Sequence, residues 1–92
     1  MFLEIVTPEA ILFSSEVDSF SAPGTDGEFQ ILDNHAPIVA NLMQGNIAIK
    51  ALNPNITEKF KEKFTSEGDK LILKINSGTL ELNDNKAIIL AD

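Results

Sequence analysis

Turn-forming residues interrupt this chain so often that most of its length has no room for a long helix. They stand at Thr7-Pro8-Glu9, Pro23-Gly24, Asp26-Gly27, Asp33-Asn34, Gln44-Gly45, Asn53-Pro54-Asn55, Ser77-Gly78 and Asn83-Asp84-Asn85. The segments between them, such as FLEIVT, GEFQIL, NIAIKAL, KLILKIN, TLELN and KAIILA, are short and rich in Ile, Val, Leu and Phe. Several alternate. Ile47 and Ile49 share one face, Leu71, Leu73 and Ile75 another, and Leu80 and Leu82 stand together opposite Glu81. Short alternating strands at close turn spacing predict an all-β fold, a sandwich or barrel of about ten strands.

One stretch departs from that period. In NPNITEKFKEKFTSEG, Ile56, Phe60 and Phe64 recur at every fourth residue, an apolar stripe at helical spacing. Asn55 is placed to cap such a helix, Glu58 to complete a capping box, and Gly68 to end it. The letters around Phe60 and Phe64 also alternate, so residues 55–67 read as a short helix or an extended arm. In either form the stripe is expected to pack on the host sheet.

The 92 residues, 43% of them apolar, form a single domain, 1–92, with enough apolar side chain for a core. A net charge of −7, with no arginine, repels nucleic-acid phosphates and anionic headgroups, so neither nucleic acid nor membrane insertion is expected. There is no GxxxxGK[ST] loop for a nucleotide, no apolar run long enough to span a bilayer, and no signal-peptide start. The absence of cysteine suits a reducing compartment, and the chain reads as soluble and intracellular.

The only histidine, His35, lies in GEFQILDNHAP, residues 27–37. Asp33 or Asp26 beside it would give two parts of a triad, with no G-x-S-x-G serine or cysteine for the third. Asp26, Glu28 and Asp33 lack the spacing of a zinc or EF-hand site, so no metal or other cofactor and no catalytic residue is expected. The remaining reading is contact. Glu28, Phe29, Asp33, Asn34 and His35 would offer charge, an aromatic and polar groups at a loop tip on a rigid β scaffold. Alternation sets Phe29 and Ile31 on one face and Glu28, Gln30 and Leu32 on the other, which makes Phe29 equally readable as a core aromatic.

The order of these segments resembles the N-terminal domain of the epsilon subunit of F-type ATP synthases. The residues that carry the resemblance are Thr7-Pro8-Glu9, Leu12-Phe13, Val17, Pro23-Gly24, Gly27-Glu28, Ile31-Leu32 and His35-Ala36-Pro37, then Gly45, Ile47, Ile49 and the closing SGTLELNDNKAIILAD. The resemblance implies a flattened β-sandwich of two sheets and a non-catalytic place in the central stalk, bound to the gamma subunit and to the polar loops of the c-ring. It assigns the c-ring contact to the segment from Glu28 to His35, here Glu28, Phe29, Gln30, Asp33, Asn34 and His35. It names no gamma contact. It implies a peripheral location on the cytoplasmic face of a bacterial plasma membrane, or its organelle equivalent.

Three departures accompany it. Gln30 stands where the family has Gly, and Asp33-Asn34 where it has Pro-Gly; Asn tolerates the left-handed backbone that a Gly would adopt. The connection at residues 53–68 is longer than the family's hairpin. The sequence closes at IILAD, without the family's C-terminal inhibitory hairpin, which predicts a chain unable to inhibit hydrolysis or sense ATP through that element. A free-standing β-sandwich that binds other proteins through the same loop is the alternative, and a small hydrolase centred on His35 a third reading.

Overall fold

The alternation in the sequence becomes a stack of strands with one buried face each. The computed structural model describes residues 1–92. Its strands are β1 (Phe2–Val6), β2 (Ile11–Glu16), β3 (Ser19–Gly24), β4 (Gly27–Leu32), β5 (Ile38–Leu42), β6 (Gly45–Lys50), β7 (Phe64–Glu67), β8 (Lys70–Ile75), β9 (Gly78–Asn83) and β10 (Lys86–Ala91). They follow one hydrogen-bonded path, β2-β1-β10-β9-β5-β3-β6-β8-β7, with β4 on the outer side of β3. The β5–β3 step is a single residue pair, Gly24 with Leu42. At that corner the sheet folds over, and its two halves, β2-β1-β10-β9-β5 and β4-β3-β6-β8-β7, face each other as a sandwich, one of the two architectures the alternation allows and the one the family resemblance implies.

A sandwich buries alternate residues from both inner faces. The core unites 19 buried apolar side chains. Leu3, Ile5, Leu80, Leu82, Ala87 and Ile89 come from the first half, and Phe20, Ile31, Ile47, Ile49, Leu73 and Ile75 from the second. Register follows the core. In the parallel β1–β10 ladder, Leu3 lies beside Ala87 and Ile5 beside Ile89, and all other named strand pairs are antiparallel. Turn chemistry matches the hairpins. Asp84 and Asn85, between β9 and β10, both take positive φ (49° and 59°), the requirement of a tight two-residue turn between right-twisted strands.

Residues 55–67 divide between the two readings of their sequence. Glu58–Lys63 is a 3₁₀ helix, and Phe64–Glu67 is strand β7, paired with β8 from Phe64 opposite Leu73 to Glu67 opposite Lys70. The expected cap is not formed. The helix starts after Thr57, with no side-chain cap, and the Asn55 backbone N–H instead donates to Ser15 Oγ at 3.2 Å. Gly68 ends no helix; it sits at φ +62° between β7 and β8. The cause is tertiary. Phe13 on β2 is bridged by Ile56 and touched by the ring of Phe64, centroids 6.0 Å apart, so the two ends of the stripe are held at one aromatic. The β8 ladder then claims residues that a longer helix would need. The stripe does pack on the sandwich, with Ile56, Phe60 and Phe64 against the core.

Phe13 therefore closes the seam between the outer strands β2 and β7 and is 1% exposed. Phe13→Ala is expected to cost about 3–5 kcal/mol of unfolding free energy. Phe60→Ala, on a half-buried ring, should cost about 1–2 kcal/mol. Urea denaturation of both variants measures the difference.

Candidate functional site

The segment that carries Glu28 to His35 is built on strand β4 and the turn that leaves it. β4 pairs with β3 without interruption from Gly24 opposite Gly27 to Ser19 opposite Leu32, so its faces alternate as the sequence predicts. Ile31 is buried, Phe29 is half-buried against the core, and Glu28, Gln30 and Leu32 are exposed. Gly24 makes room for Phe29, since a Cβ there would lie 2.8 Å from the ring.

The six residues do not converge on one tip. Glu28 sits beside the 24–27 turn, opposite Pro23, whereas Asp33 follows the far end of the strand. Five residue steps along an extended chain separate them by roughly 17 Å. The set is an edge as long as the strand, with a carboxylate at one end and a polar turn at the other. Asp26 and Glu28 are thus remote from Asp33, and the three acids do not face a common ion. His35 makes no contact with a carboxylate; its Nδ1 lies 2.7 Å from the Ala36 carbonyl, the distance of an N–H donating to that oxygen.

The polar turn is locked by partners distant in sequence. The Met1 ammonium donates to Asp33 Oδ1 at 2.7 Å and lies 3.2 Å from Glu16 Oε2. Asn85 Nδ2 donates to the same Asp33 oxygen at 3.0 Å, and the Asn34 backbone N–H donates to Asn85 Oδ1 at 2.8 Å. The His35 backbone N–H closes the turn on the Leu32 carbonyl at 3.2 Å. Asn34 takes φ 63°, the left-handed backbone that an asparagine supplies in place of glycine. Met1, Glu16 and Asn85 escape a reading of the sequence. Asn85 lies 52 residues from Asp33, and only the parallel β1–β10 pairing brings the β9–β10 turn and the N-terminus to this corner.

The lock shifts two ionisations in opposite directions. The hydrogen bond to Asp33 holds the Met1 ammonium above its ordinary 8.0, against the opposing pull of desolvation, and Glu16 adds to the rise. The same bond, followed by that from Asn85, holds the Asp33 carboxyl below its ordinary 3.8. The carboxylate contribution to stability is present above 3.8 and is lost as pH falls through the lowered value. The ammonium contribution is present below 8.0 and is lost as pH rises through the raised value. Stability from this corner should form a plateau between those limits and fall on either side. Asp33→Asn should flatten both shoulders, which chemical denaturation across pH would show.

The comparisons with known proteins agree on a family. The family described as ATP synthase, Delta/Epsilon chain, beta-sandwich domain matches residues 1–92. An ATP synthase epsilon chain of Chlorobium limicola is 39% identical over 90 residues, covering 98% of this chain and 86% of that one. One from Leptospira interrogans is 37% identical over 91 residues, covering 98% of this chain and 59% of that one. Among solved structures, a chain of the Tetrahymena thermophila mitochondrial ATP synthase, central stalk/c-ring, shares the fold with a TM-score of 0.72 at 13% identity, covering 99% of this chain and 62% of that one. A chain of the Euglena gracilis mitochondrial ATP synthase, in an OSCP/F1/c-ring assembly, matches with a TM-score of 0.72 at 20% identity, covering 97% of this chain and 48% of that one. At those identities the structural likeness is one of fold. With the family matched from first residue to last and a ten-stranded sandwich formed, this chain belongs to the delta/epsilon β-sandwich family of ATP synthase.

Proposed function

We propose that this chain is a non-catalytic central-stalk subunit of a proton- or ion-translocating F-type ATP synthase. In that role it docks the gamma subunit to the c-ring and helps couple ion flow to ATP synthesis carried out on other subunits. The observation that carries the reading is the family match over residues 1–92, joined by relatives named ATP synthase epsilon chain. The structural relatives come from assemblies of the same kind, a central stalk with its c-ring and an OSCP/F1/c-ring complex.

Glu28, Phe29, Gln30, Asp33, Asn34 and His35 are the proposed c-ring contact. Glu28 and Gln30 stand exposed on the outer face of β4, and residues 33–35 form a turn whose backbone is held by Asn85 and whose Asp33 carboxylate is held by Met1. A preset turn loses little freedom on docking. An exposed carboxylate facing basic loops steers and orients the encounter more than it tightens it. The proposed location is peripheral, at the cytoplasmic face of a bacterial plasma membrane or its organelle equivalent. No helix of the chain is long and apolar enough to cross a membrane.

The test is recovery of tagged chain from detergent-solubilised membranes of its source, followed by mass spectrometry. Gamma, c and the catalytic subunits should co-purify. The paired change Glu28→Ala and His35→Ala should weaken assembly about 10-fold at low ionic strength and less at high salt. Recovery of none of these subunits by a folded chain would instead favour a free-standing β-sandwich binding module.

A further inference from the structure

The sandwich has two seams, and they are finished differently. At one, the edge of β2 meets Ile56, and Phe64 of β7 rests on Phe13. At the other, β4 faces β5 and nothing joins them. The only strand paired with β4 is β3, and β5 pairs with β9 along its length and with β3 only at Leu42. Both strands therefore turn an unpaired backbone edge toward the same slot. That slot is an open cavity of about 570 Å³, with residues 24–29 on one wall and residues 38–41 on the other.

Natural edge strands are guarded by lysine, proline, a bulge, shortness or a covering element, because an open row of N–H and C=O groups pairs with any extended chain. β4 is six residues long, contains neither Lys nor Pro, carries its one charge, Glu28, next to the 24–27 turn, and keeps unbroken register with β3. An apolar side chain lies exposed in the slot, Val39, 79% accessible. The edge thus lacks the lysine, proline and bulge that commonly close such an edge, and no element of the chain covers it.

The charge around it selects the occupant. Asp26 and Glu28 line the slot, no cation does, and neither acid has an ion-pair partner. Residues 1–49 contain no lysine or arginine at all. A second copy of β4 in the slot would set these acids against their own kind, and like charges on paired strands are destabilising.

We propose that the β4–β5 seam receives an extended, lysine- or arginine-bearing segment of another protein chain, added as a strand along the free edge of β4. Its backbone pairs with the edge, its apolar residues meet Phe29 and Ile38, and its cation lies over Asp26 and Glu28. The proposal rests on the assignment of Glu28 to a docking surface in the ATP synthase and specifies the mode of contact as strand addition.

Hydrogen exchange, resolved by residue, tests it on the isolated chain and on the chain within the assembly purified through its tag. In the isolated chain, β4 amides aimed at β3 should exchange slowly and those on the free edge quickly. In the assembly the free-edge amides should slow at least roughly tenfold. Phe29→Pro and Gln30→Pro supply the control, since adjacent residues of a strand send their N–H groups to opposite edges. One variant breaks the β3 ladder; the other keeps the wild-type melting temperature and should lose affinity for the assembly. A chain recovered with ATP synthase subunits whose free-edge amides exchange as in isolation overturns strand addition and leaves the stalk assignment standing. Wild-type affinity of the fold-preserving proline variant overturns it as well. Protection that rises with concentration of the isolated chain identifies a second copy as the occupant and overturns the cationic partner. Recovery without any ATP synthase subunit overturns both readings.

Discussion

Everything in this molecule hangs on the meeting of two inner faces, each supplied by every second residue of short strands. Ile5, Phe20, Ile47, Ile49, Leu80 and Ile89 are all but inaccessible, and their strands turn alternate residues outward. Because the side-chain period is two, a slip of one residue in any ladder would expose a strand's whole apolar set. Packing thus fixes register, and register fixes where the turns fall. The β4 edge, the locked corner and the two seams are consequences of that arrangement.

Those local periods are why so much of the fold is legible in the residues alone. The strands and the split of Phe29 and Ile31 from Glu28, Gln30 and Leu32 follow from alternation between turn residues, which leaves sandwich and barrel open; the two-sheet sandwich is what the family resemblance implies. The left-handed Asn34 follows from turn chemistry. What local periodicity misplaces is decided at long range. Ile56, Phe60 and Phe64 have helical spacing, yet Phe13 and the β8 ladder convert that spacing into a short 3₁₀ turn followed by a strand. The same limit hides Asn85 and the Met1 amine, whose part in the corner depends on strand pairing between the two ends of the chain.

The separation of Glu28 from the 33–35 turn changes how a docking surface on this chain should be pictured. A loop tip would engage one point of a partner, and its orientation would depend on the loop. An edge roughly 17 Å long engages along a line, so it sets direction as well as position. The two ends also differ in character. The turn is held by a fixed network of hydrogen bonds, whereas Asp26 and Glu28 are unpaired and respond to whatever charge approaches. Shape at one end and field at the other are complementary means of recognising a partner.

The parallel pairing of β1 with β10 also gives the molecule a mechanical grain. β1 begins at one end of the sandwich and β10 finishes at the other, side by side along five residue pairs from Phe2 with Lys86 to Val6 with Leu90. A pull between Met1 and Asp92 therefore loads that ladder lengthwise. Its hydrogen bonds would share the strain together and could not open one after another, as they would in a hairpin drawn apart from its ends. A chain proposed to sit in a turning machine thus carries, between its two termini, the strand geometry that resists shear.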